Sequence, residues 1–374
     1  MGNPDIVSVM WKTVSESCNL ACDYCYYSDC AGNASAVDRI DDQLLETFIE
    51  KYMAMTRGAA VFSWQGGEPL LAGRDFFEKV VHLQAKYAPK NTVISNAIQT
   101  NGTLIDDEWA KFFKKYNFLV GVSIDGPKDI HDKRRPTGSG AGSFDRTMAG
   151  VDALRRYGVP FNILTVIHED NVGRAADLLE FYKQERFAHI QFLPCMDFKS
   201  QSPGEPGQYL VTPDEYGAFL CEAFDTWYND GQPLVDIRFF DNILRAYLGM
   251  EMESCVQREA CPKVLILEQN GDAFPCDFYI SDEYKLGNVG VDSLEAILNH
   301  PRYDEFLKMK PDLPEACRSC EYLALCNGGC PRNRVGGTER SAMAVDDRDY
   351  FCTSFKQLFK HADSRLTKLA ALLR

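Results

Sequence analysis

The first 230 residues alternate short apolar runs, rich in β-branched and aromatic side chains, with longer amphipathic stretches. Runs of the first kind predict buried strands, and apolar positions that recur every three or four residues predict helices. Strands are predicted at Val7–Val14, Ala60–Trp64, Thr92–Ile98, Phe118–Ile124, Phe161–Ile167 and His189–Leu193. The helices that follow them are predicted at Asp42–Met55, Arg74–Tyr87, Asp106–Lys115, Phe144–Tyr157, Val172–Gln184 and Thr212–Asn229. Six strand–helix pairs linked by right-handed crossovers indicate an α/β fold with a partial (β/α)6 barrel of the TIM type.

The pattern changes after Gly231, where short apolar runs and eight cysteines replace the alternation of strands and helices. We therefore predict two domains, the barrel over residues 1–235 and a smaller domain over residues 236–374. Between them, the Pro/Gly/Ser-rich segment Lys199–Gln208 has no periodicity and predicts a loop.

Composition narrows the class of protein. Of 374 residues, 45% are hydrophobic and 25% are charged, which is typical of an ordinary globular protein. The 14 cysteines are too sparse for a small disulfide scaffold, and no secretory signal is visible. We therefore expect the protein in the reducing cytoplasm, where metal binding, catalysis or burial must account for the thiols. The formal charge of -14 opposes binding to nucleic acid or anionic lipid, and the longest uncharged run, residues 91–105, is too polar to span a membrane.

Three cysteines, Cys18, Cys22 and Cys25, lie close together just after the first predicted strand. In a parallel barrel the loop after a strand lies at the C-terminal face, where active sites form. Structural zinc sites close with four ligands, so three thiolates suit a four-iron cluster with one open iron better than zinc. The alternatives are a zinc site completed by Cys30 and a loop of unliganded cysteines.

A second set of eight cysteines follows in the smaller domain: Cys255, Cys261, Cys276, Cys317, Cys320, Cys326, Cys330 and Cys352. Two zinc ribbons or two four-iron clusters would each explain this number and spacing. Within the set, Asn270-Gly271 predicts a two-residue turn that folds Val264–Glu268 onto Ala273–Cys276 as a hairpin. In the register of such a turn Cys276 lies opposite Leu265, so that it can share an ion or cluster with a cysteine before the hairpin.

The first three cysteines and the motifs after them resemble the radical S-adenosylmethionine (SAM) superfamily, whose signature is CxxxCxΦC with an aromatic residue at Φ. Gln65–Pro69 (QGGEP) follows the second predicted strand. The resemblance implies a [4Fe-4S] cluster on Cys18, Cys22 and Cys25 whose open iron binds the amino and carboxylate groups of SAM. It also implies SAM contacts from Tyr24, Gly67, Ser123, Arg135 and Met196. Without the resemblance, Gly-Gly most often marks a turn, Arg135 can be a solvated charge and Met196 can serve in core packing.

The second cysteine set resembles the SPASM domain of radical SAM enzymes that modify peptides, which favours iron–sulfur clusters over zinc. The resemblance implies two auxiliary [4Fe-4S] clusters, and so three clusters in the chain. The first auxiliary cluster is expected on Cys255, Cys261, Cys276 and Cys330. The second is expected on Cys317, Cys320, Cys326 and Cys352. Three cysteines remain, Cys30, Cys195 and Cys221, and we expect a buried, unreactive thiol at each.

Across nearly its whole length the chain is similar to the anaerobic sulfatase-maturating enzymes. The motifs that carry this similarity are the CxxxCxxC loop, QGGEP, QTNGTLID (Gln99–Asp106), SIDGPKxIH (Ser123–His131) and CDFY (Cys276–Tyr279). The similarity implies an oxidoreductase that converts a Cys or Ser of an unfolded sulfatase segment to Cα-formylglycine. A 5′-deoxyadenosyl radical from SAM would abstract a Cβ hydrogen, Asp277 would act as general base, and an auxiliary cluster would accept the second electron. A flavodoxin- or ferredoxin-type protein would be the electron donor.

Two other functions compete with this one. A SPASM maturase would form thioether or carbon–carbon links in a ribosomal peptide, but many such enzymes carry a leader-binding domain before the barrel, and Cys18 lies too near the start to leave room for one. The CDFY motif also favours sulfatase maturation. An iron–sulfur electron carrier would need neither an open iron nor a pocket around Ser123 and Arg135. Without the resemblance, Asp277 could equally be a helix N-cap or a solvated loop charge.

Overall fold

The computed structural model describes residues 8–27, 32, 37–195, 211–334 and 348–374. Met196, Cys30 and the loop predicted at Lys199–Gln208 lie outside the described residues, and their roles stay predictions. The strands are β1 (Ser8–Lys12), β2 (Ala59–Gln65), β3 (Val93–Thr100), β4 (Leu119–Ser123), β5 (Phe161–Ile167), β6 (His189–Pro194), β7 (Asp236–Ile237), β8 (Val264–Leu267), β9 (Asp272–Phe274) and β10 (Gly287–Asn288). The α-helices are α1 (Asp42–Met55), α2 (Arg74–Tyr87), α3 (Asp107–Lys115), α4 (Lys128–Arg134), α5 (Phe144–Tyr157), α6 (Ala175–Gln184), α7 (Pro213–Tyr228), α8 (Arg238–Tyr247), α9 (Leu294–Leu298), α10 (Pro301–Met309), α11 (Glu315–Arg318), α12 (Leu323–Cys326) and α13 (Cys352–Leu373).

The six predicted strand–helix pairs are all present. Strands β1 to β6 are followed in turn by α1, α2, α3, α5, α6 and α7, and the observed bounds of α1, α2 and α5 are the predicted ones. Capping side chains explain where the helices begin: the Asp41 carboxylate accepts from the backbone N–H groups of Gln43 and Leu44 before α1. At α7, Thr212 and Glu215 form a capping box. The α/β fold with mostly parallel strands is thus confirmed.

The chain forms two compact units. The first contains the described residues up to Ser123 together with Asp132–Phe161 and Pro262–Leu307. Its sheet runs in the order β10-β9-β8-β1-β2-β3-β4, and β1 is parallel to both of its neighbours, β2 and β8. Trp11 of β1 and Trp64 of β2 stack in its core with ring centroids 6.4 Å apart. The first barrel strand therefore lies directly beside a strand of the C-terminal hairpin.

The second unit contains Ile124–His131, Asn162–Cys261 and the described residues from Lys308 onward. Strands β5, β6 and β7 are parallel neighbours here, and α7 packs against α6 and α13. The Ser354 hydroxyl of α13 donates to the carbonyl of Pro213 at the start of α7. Although α13 has 22 residues, none of the described helices is both long and apolar enough to cross a membrane. Both units take residues from either side of position 235, and the domain boundary there stays a prediction.

The hairpin of β8 and β9 is present, but the register predicted for it is wrong by one residue. Ile266 pairs with Phe274, so the expected partner of Cys276 shifts by one position. A two-residue type I′ turn needs a positive φ at both of its residues. Gly271 has a φ of 88°, whereas Asn270 is not among the residues with positive φ. The connection is therefore one residue longer than the two-residue turn that Asn-Gly suggested.

Candidate active site

The first three cysteines lie in one loop directly after β1, as predicted. All three are half-buried, and the Cys18 thiol interacts electrostatically with those of Cys22 and Cys25. Burial, reinforced by the charge of Glu68, raises the pKa of the Cys18 thiol. A thiolate at this position needs a positive partner, which a metal cluster supplies. The structure thus brings together the three thiols that the sequence grouped.

The QTNGTLID motif holds this loop through side-chain amides. The Asn101 amide donates to the Cys18 sulfur at 3.9 Å and to the side-chain oxygen of Asn19 at 2.8 Å. The Asn19 amide in turn donates to the hydroxyl of Thr103 at 2.9 Å. The motif, which the sequence offered only as a mark of the family, thus positions the cysteine loop.

The QGGEP motif packs against the same loop. The backbone N–H of Glu68 donates to the carbonyl of Ser17 at 2.8 Å, and a Cβ on Gly67 would lie 2.0 Å from that oxygen. Because Gly67 also has a φ of 51°, only glycine fits here. The buried Glu68 carboxylate accepts from the Thr100 hydroxyl and the Asn101 N–H, both at 2.8 Å, and burial raises its pKa to about 7 against these hydrogen bonds. The close approach to Ser17 and the positive φ are enough to explain a glycine at position 67. The contact of Gly67 with SAM stays a prediction.

The structure brings two of the other predicted SAM contacts together. The Arg135 guanidinium lies 5.4 Å from the centre of the Tyr24 ring, within cation–π range. Arg135 is 7% exposed, so it is not the solvated surface charge of the alternative interpretation. Ser123 ends β4, and its hydroxyl accepts from the Gln99 amide at 3.0 Å. Their contacts with SAM itself stay predictions.

Asp277, the predicted base, lies in the first unit beside a buried lysine. One carboxylate oxygen forms an ion pair with Lys12, and the other accepts from the Tyr26 hydroxyl at 2.7 Å. The Lys12 side chain is fully buried, whereas that of Asp277 is 14% exposed. A buried ammonium is costly unless it is paired, so this contact fixes both partners. Both oxygens of Asp277 are held in place, and the carboxylate keeps limited access to solvent.

Lys12 lies beside the predicted base, and the sequence interpretation did not single it out. Its ammonium lies 3.3 Å from the Tyr26 hydroxyl and 4.4 Å from the centre of the Tyr27 ring. The Tyr27 hydroxyl donates to the Glu268 carboxylate at 2.7 Å. The available signal was a lysine within the mostly apolar run Val7–Val14, because lysines are almost never fully buried unless they are paired. These charged and phenolic side chains surround the predicted base.

In the second unit, three cysteines expected at the first auxiliary cluster lie near one another. The Cys261 thiol interacts electrostatically with those of Cys330 and Cys255, and burial raises its pKa to about 11. Gln257, two residues after Cys255, is buried, and the polar atoms of its side-chain amide have no hydrogen-bond partner within the described residues. Orphaned polar atoms of this kind fit a polar group that the chain does not itself supply. Cys276, the fourth expected ligand, follows β9 in the first unit, and its membership stays a prediction.

The four cysteines expected at the second auxiliary cluster line one pocket in the second unit. They are Cys317, Cys320, Cys326 and Cys352. Gly328 and Gly329, both with positive φ, also line it, so the backbone there carries no side chain into the space. No three His, Cys, Asp or Glu side chains of the described chain surround a single metal-ion position. The four-thiol donor set fits an iron–sulfur cluster.

The cysteines outside these groups meet their expectation in part. Cys195 is buried, as predicted for an inert thiol. Cys221, on α7, is only half-buried, although burial and the charge of Asp225 raise its pKa to about 11. A thiol with a raised pKa forms little thiolate near neutral pH and reacts slowly.

Comparison with protein families agrees with both resemblances. The model of the Radical SAM superfamily matches residues 13–182, and that of SPASM, an iron-sulfur cluster-binding domain, matches residues 259–321. The first match contains the three cysteines after β1. The second contains four of the eight further cysteines: Cys261, Cys276, Cys317 and Cys320.

Full-length relatives and solved structures narrow the family. A cysteine-type anaerobic sulfatase-maturating enzyme of Clostridium novyi is 36% identical over 371 residues, which are 98% of this chain and 98% of the relative. A serine-type anaerobic sulfatase-maturating enzyme of Bacteroides thetaiotaomicron is 37% identical, over 94% of this chain and 88% of the relative. The structure of native anSMEcpe with bound AdoMet matches with a TM-score of 0.90 and 34% identity, over 98% of this chain and 100% of that one. The chain therefore belongs to the anaerobic sulfatase-maturating enzymes, radical SAM oxidoreductases that carry an iron–sulfur cluster-binding SPASM domain.

Proposed function

We propose that the protein oxidises a Cys or Ser side chain in an unfolded segment of a sulfatase to Cα-formylglycine, with Asp277 as the base. Oxidation of Ser gives formylglycine directly, whereas oxidation of Cys gives a thioaldehyde that water hydrolyses to formylglycine with release of sulfide. The observation that carries this proposal is the hydrogen bond of 2.7 Å from Tyr26 to Asp277. Tyr26 directly follows Cys25 in the chain. The bond therefore ties the carboxylate to the loop that holds the first three cysteines.

The donor sets fit the expected cofactors. Cys18, Cys22 and Cys25 would hold the cluster that binds SAM, and Tyr24, Gly67, Ser123, Arg135 and Met196 would contact SAM. The two auxiliary clusters would lie on Cys255, Cys261, Cys276 and Cys330 and on Cys317, Cys320, Cys326 and Cys352. When bound, these groups supply the 5′-deoxyadenosyl radical that abstracts a Cβ hydrogen and the acceptor of the second electron. The solved structure of anSMEcpe with bound AdoMet and Cp18Cys peptide, at 34% identity, supports a SAM and peptide site in this chain.

The chain's own residues handle the proton. The Asp277 carboxylate would accept the proton of the substrate thiol or hydroxyl, while Lys12 and Tyr26 keep its two oxygens in fixed positions. The acidity of the substrate rises once its β-carbon has radical character, so a carboxylate without a strongly shifted pKa is an adequate base. The limited exposure of Asp277, at 14%, leaves it a route to pass the proton to solvent.

Relatives of both substrate types support a Cys or a Ser target, since the cysteine-type enzyme is 36% identical and the serine-type enzyme 37%. A flavodoxin- or ferredoxin-type protein would be the electron donor, and we propose a cytoplasmic location because the clusters are sensitive to oxidation.

The experiment incubates the reduced, iron-loaded enzyme with SAM and sulfatase peptides that carry either Cys or Ser at the target position. Mass spectrometry should detect formylglycine from at least one peptide. Asp277→Asn should keep its iron and bind SAM but lose formylglycine, because an amide cannot accept the proton, whereas Asp282→Asn, at an exposed position on the same segment, should keep full activity. Unchanged turnover in D277N would refute the base, and a cross-linked peptide would favour the SPASM maturase instead.

A further inference from the structure

A second buried lysine, Lys310, lies in the second unit just after α10. Its side chain has no solvent exposure. The ammonium donates to the backbone carbonyl of Val256 at 3.1 Å and to that of Gly329. These two residues are the chain neighbours of Cys255 and Cys330. The positive charge therefore lies between two cysteine-bearing segments of the first auxiliary group, which consists of Cys255, Cys261 and Cys330.

This charge has no carboxylate at ion-pair distance within the described residues. The buried carboxylate that interacts with it over a longer distance, Asp349, is held by the backbone N–H groups of Cys330 at 2.9 Å and Phe351 at 2.8 Å. The other anionic groups that act on Lys310 are the thiols of the first auxiliary group. Burial lowers the pKa of Lys310, and two neutral carbonyls do not compensate a buried ammonium, so a charged Lys310 requires an anionic group close to it. The thiols of Cys255, Cys261 and Cys330 are the candidates, because all three act electrostatically on Lys310.

Gln257 gives an independent sign that a group is bound here. Its side chain is 2% exposed, and neither its amide nitrogen nor its amide oxygen has a partner within the described residues. Its backbone carbonyl, by contrast, accepts from the Asn327 amide at 2.8 Å. Buried polar atoms are nearly always satisfied in folded proteins. An anionic, hydrogen-bond-accepting group beside Cys255 would accept from the Gln257 amide nitrogen and would also balance the charge of Lys310.

We propose that Lys310 is the built-in counter-ion of the first auxiliary cluster and raises its reduction potential. This inference rests on the proposed function, which places that cluster on Cys255, Cys261, Cys276 and Cys330. A four-thiolate [4Fe-4S] site carries about two negative charges, and reduction adds one more. A fixed positive charge beside the thiolates stabilises the reduced cluster more than the oxidised one. Lys310 is a positioning and tuning residue rather than a catalytic one, because it acts on the cluster through its charge.

The test compares Lys310→Gln, which still offers a donor to the carbonyls, with Lys310→Arg, which keeps the charge. Lys308→Gln, an exposed lysine on the last turn of α10, is the matched control. Anaerobically purified holoenzymes are titrated electrochemically with detection by electron paramagnetic resonance, and iron is counted per chain. A variant with Ala at Cys255, Cys261 and Cys330 identifies the signal of the first auxiliary cluster.

K310Q should move the midpoint potential of that signal to a more negative value, or lose the iron of that one cluster. K310R and K308Q should behave as the wild type. Unchanged potential and iron content in K310Q would overturn the inference. If K310Q does not fold, Lys310→Met undergoes the same titration with the same two outcomes.

The triple cysteine variant separates this inference from the proposed function. If that variant retains all of its iron and every signal, the ligand assignment is wrong, whatever Lys310 does. If it loses one cluster while the Lys310 variants match the wild type, the assignment holds and only the role of Lys310 fails.

Discussion

Replacing Lys12 by methionine removes the cation that holds Asp277, and the burial of the two side chains indicates how much the free energy of unfolding should fall. The Lys12 side chain is fully buried and that of Asp277 is 14% exposed, so the contact is close to a buried ion pair. Removing one partner of a buried pair costs about 3–5 kcal/mol. The partial exposure of Asp277 and its remaining bond to Tyr26 place K12M at the lower end, about 3 kcal/mol. At roughly 2 °C per kcal/mol, the Tm should fall by about 6 °C.

A double-mutant cycle shows whether this cost belongs to the pair. Asp277→Asn leaves the Lys12 ammonium buried opposite a neutral amide, which should cost a similar amount. In K12M/D277N neither charge remains. The loss of unfolding free energy in this double variant should therefore be smaller than the sum of the losses in the two single variants by about 2 kcal/mol. Thermal unfolding of the four iron-loaded proteins under anaerobic conditions measures the cycle. Lys79→Met, which breaks an exposed contact with Asp42, should change stability by less than about 1 kcal/mol.

Formylglycine formation in K12M tests the functional side of the same contact. The variant should bind SAM and keep its iron but form product more slowly, because Asp277 loses one of its two anchors. Lys12→Arg, which keeps the charge, should recover part of the rate. Additive costs in the cycle would contradict the ion pair, and wild-type turnover in K12M would contradict its role in holding the base.

Two further changes probe the loop of the first three cysteines. Gly67→Ala places a Cβ 2.0 Å from a backbone carbonyl of this loop. Gly58 also has a positive φ, but the Cβ of Gly58→Ala would meet no described atom within 4 Å. G67A should therefore lose the iron of one cluster while G58A keeps it, and equal iron in both would contradict the close approach. Replacing Cys18, Cys22 and Cys25 by Ala should remove about one-third of the iron, because they hold one of three expected clusters. Unaltered iron content, or zinc in place of iron, would count against a cluster there.

Local patterns were enough to predict the barrel helices. In α1, apolar residues recur at helical spacing and are buried, and the Asp41 cap marks the start. Helix α13 has the same kind of spacing, with Phe355, Leu358, Phe359 and Ala362 all buried. Its signal was therefore also present in the sequence, although the prediction after Gly231 was of short apolar runs. The cysteine-rich stretch before α13 has no comparable period.

Contacts between distant segments could not be predicted in this way. Lys12 meets Asp277 because β1 pairs with β8 in parallel, and no local periodicity specifies that pairing. A lysine in an apolar strand requires an anionic partner, but the sequence does not say which one. The register of the hairpin likewise depends on the φ of Asn270, because the positive φ of Gly271 is compatible with both the two-residue turn and the longer one.

The central claim is that hydrogen leaves the β-carbon of a Cys or Ser while Asp277 takes the proton of its thiol or hydroxyl. The most direct test uses a sulfatase peptide with both Cβ hydrogens replaced by deuterium, incubated with the reduced wild-type enzyme and SAM. Mass spectrometry should find deuterium in 5′-deoxyadenosine, and the formylglycine formed together with it should retain one deuterium. Unlabelled 5′-deoxyadenosine beside formylglycine, or a cross-linked peptide in place of formylglycine, would contradict the claim.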